Sequence, residues 1–256
     1  MTSTLVVGRS TPPALEIHHV GMGRPLEWLR LGWDDLRTIG APGLAHGALI
    51  AVLGAVLLML GSTHFYVTAA AVTGYLLVGP IMATGVIELA RRLTAHESLG
   101  FDESLQPLTR NAGGLLYFAG MLALVALMWF AASAIVLQSV LGAERPTLAD
   151  TLWGGSVLLT HPQLLGYLAS GALLALVVFV LSAVAVPLII DRHATATEAI
   201  GASVRAVLYS LPAMLVWAAL IVALTALGFA TLLAGMVIVM PWLGYASWHA
   251  YRDLVG

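Results

Sequence analysis

Charged residues are absent from four long stretches of the chain. No Asp, Glu, Lys or Arg occurs in residues 44–87, 111–143, 161–190 or 206–251. Apolar runs of about 20 residues or more are typical of helices that cross the ~30 Å hydrocarbon core of a bilayer. The mean hydropathy of +0.95 agrees with this interpretation. The pattern therefore predicts an all-α fold, a polytopic membrane helix bundle.

The lengths of these stretches predict six transmembrane helices. A helix rises about 1.5 Å per residue, so the first and the last stretches are each long enough to cross the membrane twice. The polar residues 61–64 would form the first turn, and Gly228 would divide the last stretch. The six predicted spans are 42–60, 65–93, 112–137, 162–190, 206–227 and 229–250. Residues 26–254 then form a single transmembrane domain, and residues 1–25 form a mobile cytoplasmic tail.

The positive charges indicate how the helices are oriented. All eleven are arginines, because the chain has no lysine. Ten of them fall in segments on one side of the predicted membrane, and Arg145 alone falls on the other. Because positively charged loops stay in the cytoplasm, both termini are predicted to lie there. The expected location is the bacterial cytoplasmic (inner) membrane.

Each pair of predicted spans is preceded by a cytoplasmic segment that would be amphipathic as a helix. The first two segments are 26–37 and 101–110, and the third begins at a predicted capping box of Thr195 and Glu198. Such helices are expected to lie in the plane of the lipid headgroups. Their predicted apolar faces are Leu26, Leu29, Trp33 and Leu36, then Phe101, Leu105 and Leu108, then Ile200, Val204 and Val207.

A proline recurs in the second span of each predicted hairpin, as Pro80, Pro187 and Pro241. Together with the amphipathic segments, this recurrence suggests three repeated hairpins around a pseudo-threefold axis. A proline removes one backbone hydrogen bond and kinks its helix, which membrane proteins tolerate where neighbouring groups satisfy the freed carbonyl. Two interpretations stay open: the prolines shape the helices, or they allow the helices to move as gates.

Ionisable side chains close to the spans are candidates for function, because charge inside a membrane is costly. Glu88 lies near the cytoplasmic end of the second span, and Arg91 and Arg92 follow at i+3 and i+4, where they can pair with it. Asp191 and Arg192 form a second such pair. A structural ion pair is the expected role of both groups, and a proton relay is the alternative.

Histidines are the next candidates, because imidazole can bind haem or a metal ion. His46 and His249 lie near the predicted inner face and are candidates for binding a cofactor. His64 and His161 lie near the predicted outer face and are candidates for a metal site. The alternative is that these histidines bond to headgroups, water or backbone at the interface. On that interpretation, which we favour, the protein has no cofactor.

The remaining composition argues against catalysis and against nucleic-acid binding. The chain has no Cys, which excludes disulfides and thiolate metal sites. A net charge of −2 gives no basic surface for a nucleic acid. The motifs of zinc proteases, serine hydrolases, phosphate loops and dinucleotide sites do not occur in the sequence. We therefore predict no catalytic residues and no enzymatic activity.

Four segments of the chain resemble a known family. They are residues 28–36 (WLRLGWDDL), 74–80 (GYLLVGP), 186–192 (VPLIIDR) and 248–254 (WHAYRDL). They are similar to segments of a family of uncharacterised bacterial integral membrane proteins, known only as a domain of unknown function. The resemblance extends over about residues 25–254, and it implies location and topology rather than an activity.

Two functions from different classes fit these observations. The first is a non-enzymatic accessory or assembly subunit of a larger membrane complex, favoured by the absence of charge at mid-depth and by small residues that suit helix contact. The alternative is a small-solute transporter or channel with a polar cavity opened by the prolines. The predicted lining of that cavity includes Thr73, Tyr75, Thr84, Ser182 and Thr225. The expected partners are the lipid bilayer and either a larger membrane complex or further copies of the chain.

Overall fold

The computed structural model describes residues 15–61, 79–141 and 163–256. This part of the chain consists of helices joined by turns and short loops, with an antiparallel bridge between Ile17 and Val255. The helices, numbered here in chain order, are α1 (Arg24–Ile39), α2 (Ala41–Gly61), α3 (Thr84–Thr94), α4 (Phe101–Ser104), α5 (Pro107–Arg110), α6 (Ala112–Leu141), α7 (Gln163–Ser182), α8 (Ala185–Arg192), α9 (Ala196–Tyr209), α10 (Leu211–Ala230) and α11 (Met236–Leu254). The predicted all-α class is confirmed for the described residues.

Several helices are long and apolar enough to cross a membrane. In the described residues these segments are Ala112–Ser133, Leu165–Arg192 and Leu211–Ala230. A fourth crossing would come from α1 and the first part of α2, which meet at a bend of 105° beside Gly40. The described chain therefore supports three to four spans. The predicted total of six and the three repeated hairpins are not confirmed, and residues 65–78 of the predicted span 65–93 lie outside the described residues.

The turn in the last apolar stretch lies later than the sequence predicts. Gly228 was the expected turn, but α10 continues through it to Ala230, and the turn occupies residues 231–235. Leu232 and Leu233 adopt positive φ values of 53° and 70° there. Hydrogen bonds stabilise this conformation, since the Leu233 N–H donates to the Gly228 carbonyl at 3.1 Å. A sequence indicates a helix end mainly by a glycine at the left-handed position. This end has leucines there, so the sequence pattern did not predict it.

The preceding span also begins later than expected. Residues 206–209 belong to α9, and α10 starts a new helix at Leu211 with Pro212 in its first turn. Proline fits the first turn of a helix, where its missing N–H is not needed, but it cannot continue an existing helix. Ser210 between the two helices is buried, and its hydroxyl oxygen accepts a hydrogen bond from the Val20 N–H at 3.1 Å.

Helix α11 lies at the centre of the fold and packs against α1, α2, α3, α8 and α10. Glycines allow this close packing. A Cβ atom added to Gly32 of α1 would lie 2.7 Å from the Ala246 backbone nitrogen. One added to Gly244 would lie 2.6 Å from a methyl group of Val86 on α3. The main core is therefore built where backbones approach closely, as in membrane helix pairs with small residues at their interfaces.

The amphipathic helix α1 forms as predicted, and most of its predicted apolar face is buried or half-buried. Trp28 is fully buried, whereas Leu26 is 61% exposed. The Trp28 ring packs edge-on against Trp217 of α10 at a centroid distance of 5.7 Å. The Trp242 indole N–H of α11 donates to the Leu29 carbonyl at 2.7 Å. The apolar face of α1 therefore contacts other helices of this protein.

The second predicted amphipathic segment is two short helices, α4 and α5. Leu105 and Leu108 of the predicted apolar face are 38% and 53% exposed, whereas Phe101 is half-buried. Pro107 explains the break, because proline begins α5 and cannot continue α4. Phe101 stacks instead on the His46 ring of α2, with the two ring centroids 4.7 Å apart.

The third amphipathic helix, α9, begins at the predicted capping box. The Glu198 N–H donates to the Thr195 side chain at 3.3 Å, and the Thr195 N–H donates to the Glu198 carboxylate at 2.9 Å. The buried face of α9 is formed mainly by alanines, while Ile200 and Val204 are half-buried. Small side chains let α9 lie close to α7 and α8.

The capping box makes a prediction about acid stability. Hydrogen bonds from the Thr195 backbone and side chain lower the pKa of Glu198. A lowered pKa stabilises the fold above the unfolded value of about 4.3, and this contribution is lost as the pH falls through the folded value. We expect the difference in Tm between wild type and Glu198→Gln to be largest near neutral pH and to shrink below about pH 4. Thermal unfolding at several pH values checks this, and a pH-independent difference would contradict it.

Pro187 lies just after a helix irregularity. The helix through α7 and α8 breaks at residues 183–184, just before Pro187, which has no N–H for the Ala183 carbonyl. Ser203 of α9 is inserted between Val180 and Val184, because it donates to the Val180 carbonyl at 2.8 Å and accepts from the Val184 N–H at 3.3 Å. A neighbouring helix therefore satisfies the two backbone groups at this break.

Pro241 and Pro80 lie in helical backbone. Pro241 is inside α11 and has no N–H to donate to the Val237 carbonyl. That carbonyl faces Gly47 of α2, whose missing side chain leaves room for it. Pro80 lies in the helical residues 79–82, and the Thr84 hydroxyl that follows donates to the Ile81 carbonyl at 2.6 Å.

The segment before α1 pairs with the end of the chain. The sequence analysis assigns residues 1–25 to a mobile tail, but residues 15–20 lie alongside residues 254–256. The His18 N–H donates to the Leu254 carbonyl, and the Gly256 N–H donates to the Glu16 carbonyl, each at 3.0 Å. Val20 is buried in the core. The helical domain therefore includes part of the predicted tail.

Candidate functional site

Glu88 is the centre of a buried ionic network at the end of α3. Its side chain is fully buried. Arg91 donates to both carboxylate oxygens, at 2.8 and 2.9 Å, and Arg92 donates at 3.0 Å. Arg110 of α5 donates from the other side at 3.2 Å. The predicted pairing at i+3 and i+4 is present in this geometry, and Arg110 is an additional partner that the sequence analysis did not identify.

Further contacts extend the network into the segment after α3. Arg92 donates to the Ser98 carbonyl at 3.2 Å and to the Gln106 side-chain oxygen at 2.6 Å. Glu97 accepts a hydrogen bond from Arg91 at 2.9 Å, and this contact lowers the pKa of Glu97. The arginines therefore tie residues 95–106 to α3, while Glu88 holds the arginines in place.

A cleft of about 370 Å³ lies beside this network, where α3, α8 and α11 end. Arg91, Arg192 and Arg252 contribute one guanidinium from each of these helices. Arg192 lies no closer than 3.9 Å to the carboxylate of Asp191, which is too long for a hydrogen bond. In the described part of the chain, Arg252 makes no ion pair within 4 Å. The cleft thus contains arginine N–H groups that no carboxylate satisfies.

Two aromatic residues form rigid walls of the cleft. The Trp248 indole N–H donates to the Thr94 hydroxyl at 3.0 Å, and the Tyr251 hydroxyl donates to the Asp191 carboxylate at 2.7 Å. Both rings are almost completely buried. Asp191 is therefore engaged mainly by Tyr251, and its predicted ion pair with Arg192 is only a long contact. Arg192 therefore has no hydrogen-bonded carboxylate among the described residues.

The candidate histidines lie in two separate hydrogen-bond pairs. The His46 ring nitrogen Nε2 lies 2.7 Å from the Ser104 hydroxyl. Because Ser104 donates its own proton to the Phe101 carbonyl, Nε2 carries a proton and donates to Ser104. His249 Nε2 lies 2.8 Å from the Asp35 carboxylate. Both Nε2 atoms are thus engaged by protein groups, and the structure does not show these two histidines as a haem-ligand pair.

The candidate metal ligands His64 and His161 lie outside the described residues. Within residues 15–61, 79–141 and 163–256, no group of three or more His, Asp or Glu side chains could hold a metal ion. The proposed lining residues Thr73 and Tyr75 also lie outside this part. Thr225 of α10 is half-buried.

The sequence analysis missed the cleft because its parts are far apart in the chain. Arg91, Arg192 and Arg252 were each interpreted as topology or ion-pair residues. Their convergence depends on how α3 and α8 pack against α11, and no local spacing reveals that packing. One usable signal was present: an arginine in the last turn of each of the three helices, where cations oppose the helix dipole.

The fold and this site together define a helical integral membrane protein whose buried charges bond one another near helix ends. Comparison with known families agrees with that class. Residues 67–191 match the model of a family described as predicted integral membrane protein (DUF2189), a family of unknown function. The match confirms the resemblance to an uncharacterised membrane protein family.

The family match covers part of the resembling sequence. Of the four segments quoted above, 74–80 and nearly all of 186–192 lie within the match, and 28–36 and 248–254 lie outside it. No curated protein and no solved structure matches the chain significantly. The match includes Glu88, its three arginine partners and Asp191.

Proposed function

We propose that this protein is a non-enzymatic accessory or assembly subunit of a larger complex in the bacterial cytoplasmic membrane. The observation that carries the proposal is that three of the protein's carboxylates accept hydrogen bonds from side chains of other helices. Asp35 accepts a hydrogen bond from His249, Asp191 from Tyr251, and Asp253 from Trp28 at 2.7 Å. Each of these bonds joins α11 to another helix. Carboxylates used in this way hold helices together and are not free for proton transfer to a substrate.

The outer surfaces of the long helices offer area for a partner. Only 22% of the best 18-residue window is buried within the protein in both α6 and α10. Lipid covers such apolar surfaces by default, and a partner subunit would cover a part of them. The distribution of ten arginines on one side supports cytoplasmic termini. The proposal therefore predicts protein contacts on the membrane-facing sides of α6 or α10.

Site-specific photocrosslinking tests this prediction with matched positions. Tyr117 on α6 is 63% exposed and its neighbour Phe118 is fully buried. Val222 and Trp217 on α10 form a similar pair, at 67% and 1% exposure. We expect a benzophenone amino acid to give a discrete protein adduct in native membranes at Tyr117 or Val222, and none at Phe118 or Trp217. Adducts with lipid alone at both exposed positions would contradict the proposal.

The identity of the adduct decides what kind of partner is present. Mass spectrometry of the protein purified in mild detergent should show the same partner at fixed stoichiometry. A different protein would support the accessory role. An adduct of twice the chain's own mass would show self-association and would not support membership of a larger complex.

A small-solute transporter or channel is the competing proposal. The interrupted helix of α7 and α8 favours it, because transporter sites are often formed by broken helices. Against it, the Ser182 hydroxyl donates to the Val178 carbonyl of its own helix at 2.7 Å, as Thr84 does to Ile81. These two hydroxyls use their protons within their own helices and could offer a solute only acceptor lone pairs. Solute uptake into proteoliposomes would overturn the accessory proposal.

A further inference from the structure

We propose that the cleft between α3, α8 and α11 binds the phosphate group of an anionic ligand. The first argument is the chemistry of its walls. Three guanidinium groups line the cleft, contributed by Arg91, Arg192 and Arg252, with Asp191 as the one carboxylate among its lining side chains in the described residues. Guanidinium N–H groups form a planar fork that matches phosphate oxygens, often in bidentate pairs.

The second argument is that the ionisable side chains at this end of the protein carry more positive than negative formal charge. Around the cleft and the adjoining network, five arginines face three carboxylates. They are Arg91, Arg92, Arg110, Arg192 and Arg252, and Glu88, Glu97 and Asp191. The C-terminal ends of three helices add partial negative charge that opposes anion binding, so the proposal depends on the guanidinium N–H groups and not on the helix ends.

The third argument is that the cleft is pre-formed. Arg91 is held by Glu88 and Glu97, and its side chain is only 16% exposed. Trp248 and Tyr251 are fixed by their own hydrogen bonds. A ligand therefore needs to order only Arg192 and Arg252, which reduces the entropic cost of binding. A volume of about 370 Å³ can contain a phosphate with part of the group attached to it.

The phosphate could belong to a lipid headgroup or to a free anion. Basic pockets between helices on the cytoplasmic side bind anionic headgroups in membrane proteins. The predicted cytoplasmic position of the arginines would place the cleft at that level. Inorganic phosphate would make the same contacts with the guanidinium groups. The two sources differ in whether the acyl chains are needed.

The full chain, delipidated in nonionic detergent, provides the test. Its Tm is measured with inorganic phosphate, with short-chain phosphatidylglycerol, and with potassium chloride at equal ionic strength. A ligand that binds the folded state raises Tm in a concentration-dependent way. We expect phosphatidylglycerol or phosphate to raise Tm beyond the chloride control. A rise with phosphatidylglycerol alone identifies a headgroup, and a rise with phosphate identifies a free anion.

Matched arginine variants locate the effect. Arg192→Gln and Arg252→Gln should each raise the apparent dissociation constant about tenfold, the loss expected from one charge-assisted contact. Arg205→Gln removes the same charge from an exposed position on α9, outside the cleft, and should leave the constant unchanged. No rise in Tm with either ligand, or an equal response in all three variants, would overturn the proposal.

Discussion

We expect Glu88→Ala to lower the free energy of unfolding by about 3–5 kcal/mol, because it leaves buried charges without their partner. Arg91, Arg92 and Arg110 all donate to the Glu88 carboxylate, which is fully buried. Arg92 is itself 7% exposed, so water cannot replace the missing carboxylate easily. For a chain of this size the change corresponds to a fall in Tm of roughly 10 °C or more. Thermal unfolding in detergent measures it.

Glu97→Gln is the matched control for the Glu88 variant. Glu97 also bonds to Arg91, but its side chain is 41% exposed, and exposed ion pairs contribute about 0–1 kcal/mol. The control should therefore shift Tm by at most a few degrees. Glu88→Gln should fall between the two variants, since an amide keeps one acceptor oxygen and loses the charge. Equal shifts for Glu88→Ala and Glu97→Gln would show that the buried network is not a main source of stability.

Local patterns were sufficient to predict some of this network and of the fold. The pairing of Glu88 with Arg91 and Arg92 follows from helical spacing, because residues three and four apart share a face. The capping box of Thr195 and Glu198 follows from the same kind of short-range rule. These predictions succeed because the helix alone determines the geometry. The contribution of Arg110 depends on how the chain turns between α3 and α5, which no spacing rule contains.

The face of α1 shows why the tertiary arrangement was not predictable. Leu26 and Trp28 are both apolar and lie near opposite edges of the same helical stripe, so periodicity alone cannot choose between them. The choice depends on Gly32, whose missing side chain allows α1 to approach Ala246 of α11. That approach rotates Trp28 into the core and leaves Leu26 exposed. The arginine cleft is hidden from the sequence for the same reason, because it exists only once the helices are packed.

Gly47 is the position where a single added methyl group should have the largest effect on packing. It lies on α2 against the backbone of α11 at Val237. The Val237 carbonyl has no helical donor, because Pro241 lacks an N–H. A Cβ at position 47 would lie 2.7 Å from the Val237 carbonyl carbon and 2.8 Å from its Cα atom, with the oxygen closer still. Backbone atoms cannot rotate away as a side chain can, so α2 and α11 would have to separate. We expect Gly47→Ala to cost about 1–3 kcal/mol or more.

Gly120→Ala is the control that separates this clash from the general effect of replacing a helical glycine with alanine. Gly120 lies inside α6, and a Cβ added there would meet nothing within 4 Å. Because alanine is a better helix former than glycine, this control should be neutral or stabilising by about 0.4–1 kcal/mol. Measured by thermal unfolding, the two variants should therefore shift Tm in opposite directions or differ by several degrees. If Gly47→Ala were as stable as Gly120→Ala, α2 and α11 could not be in the close contact that brings Val237 against Gly47. The same result would remove the structural explanation for Pro241, since its freed carbonyl would no longer be packed against a glycine.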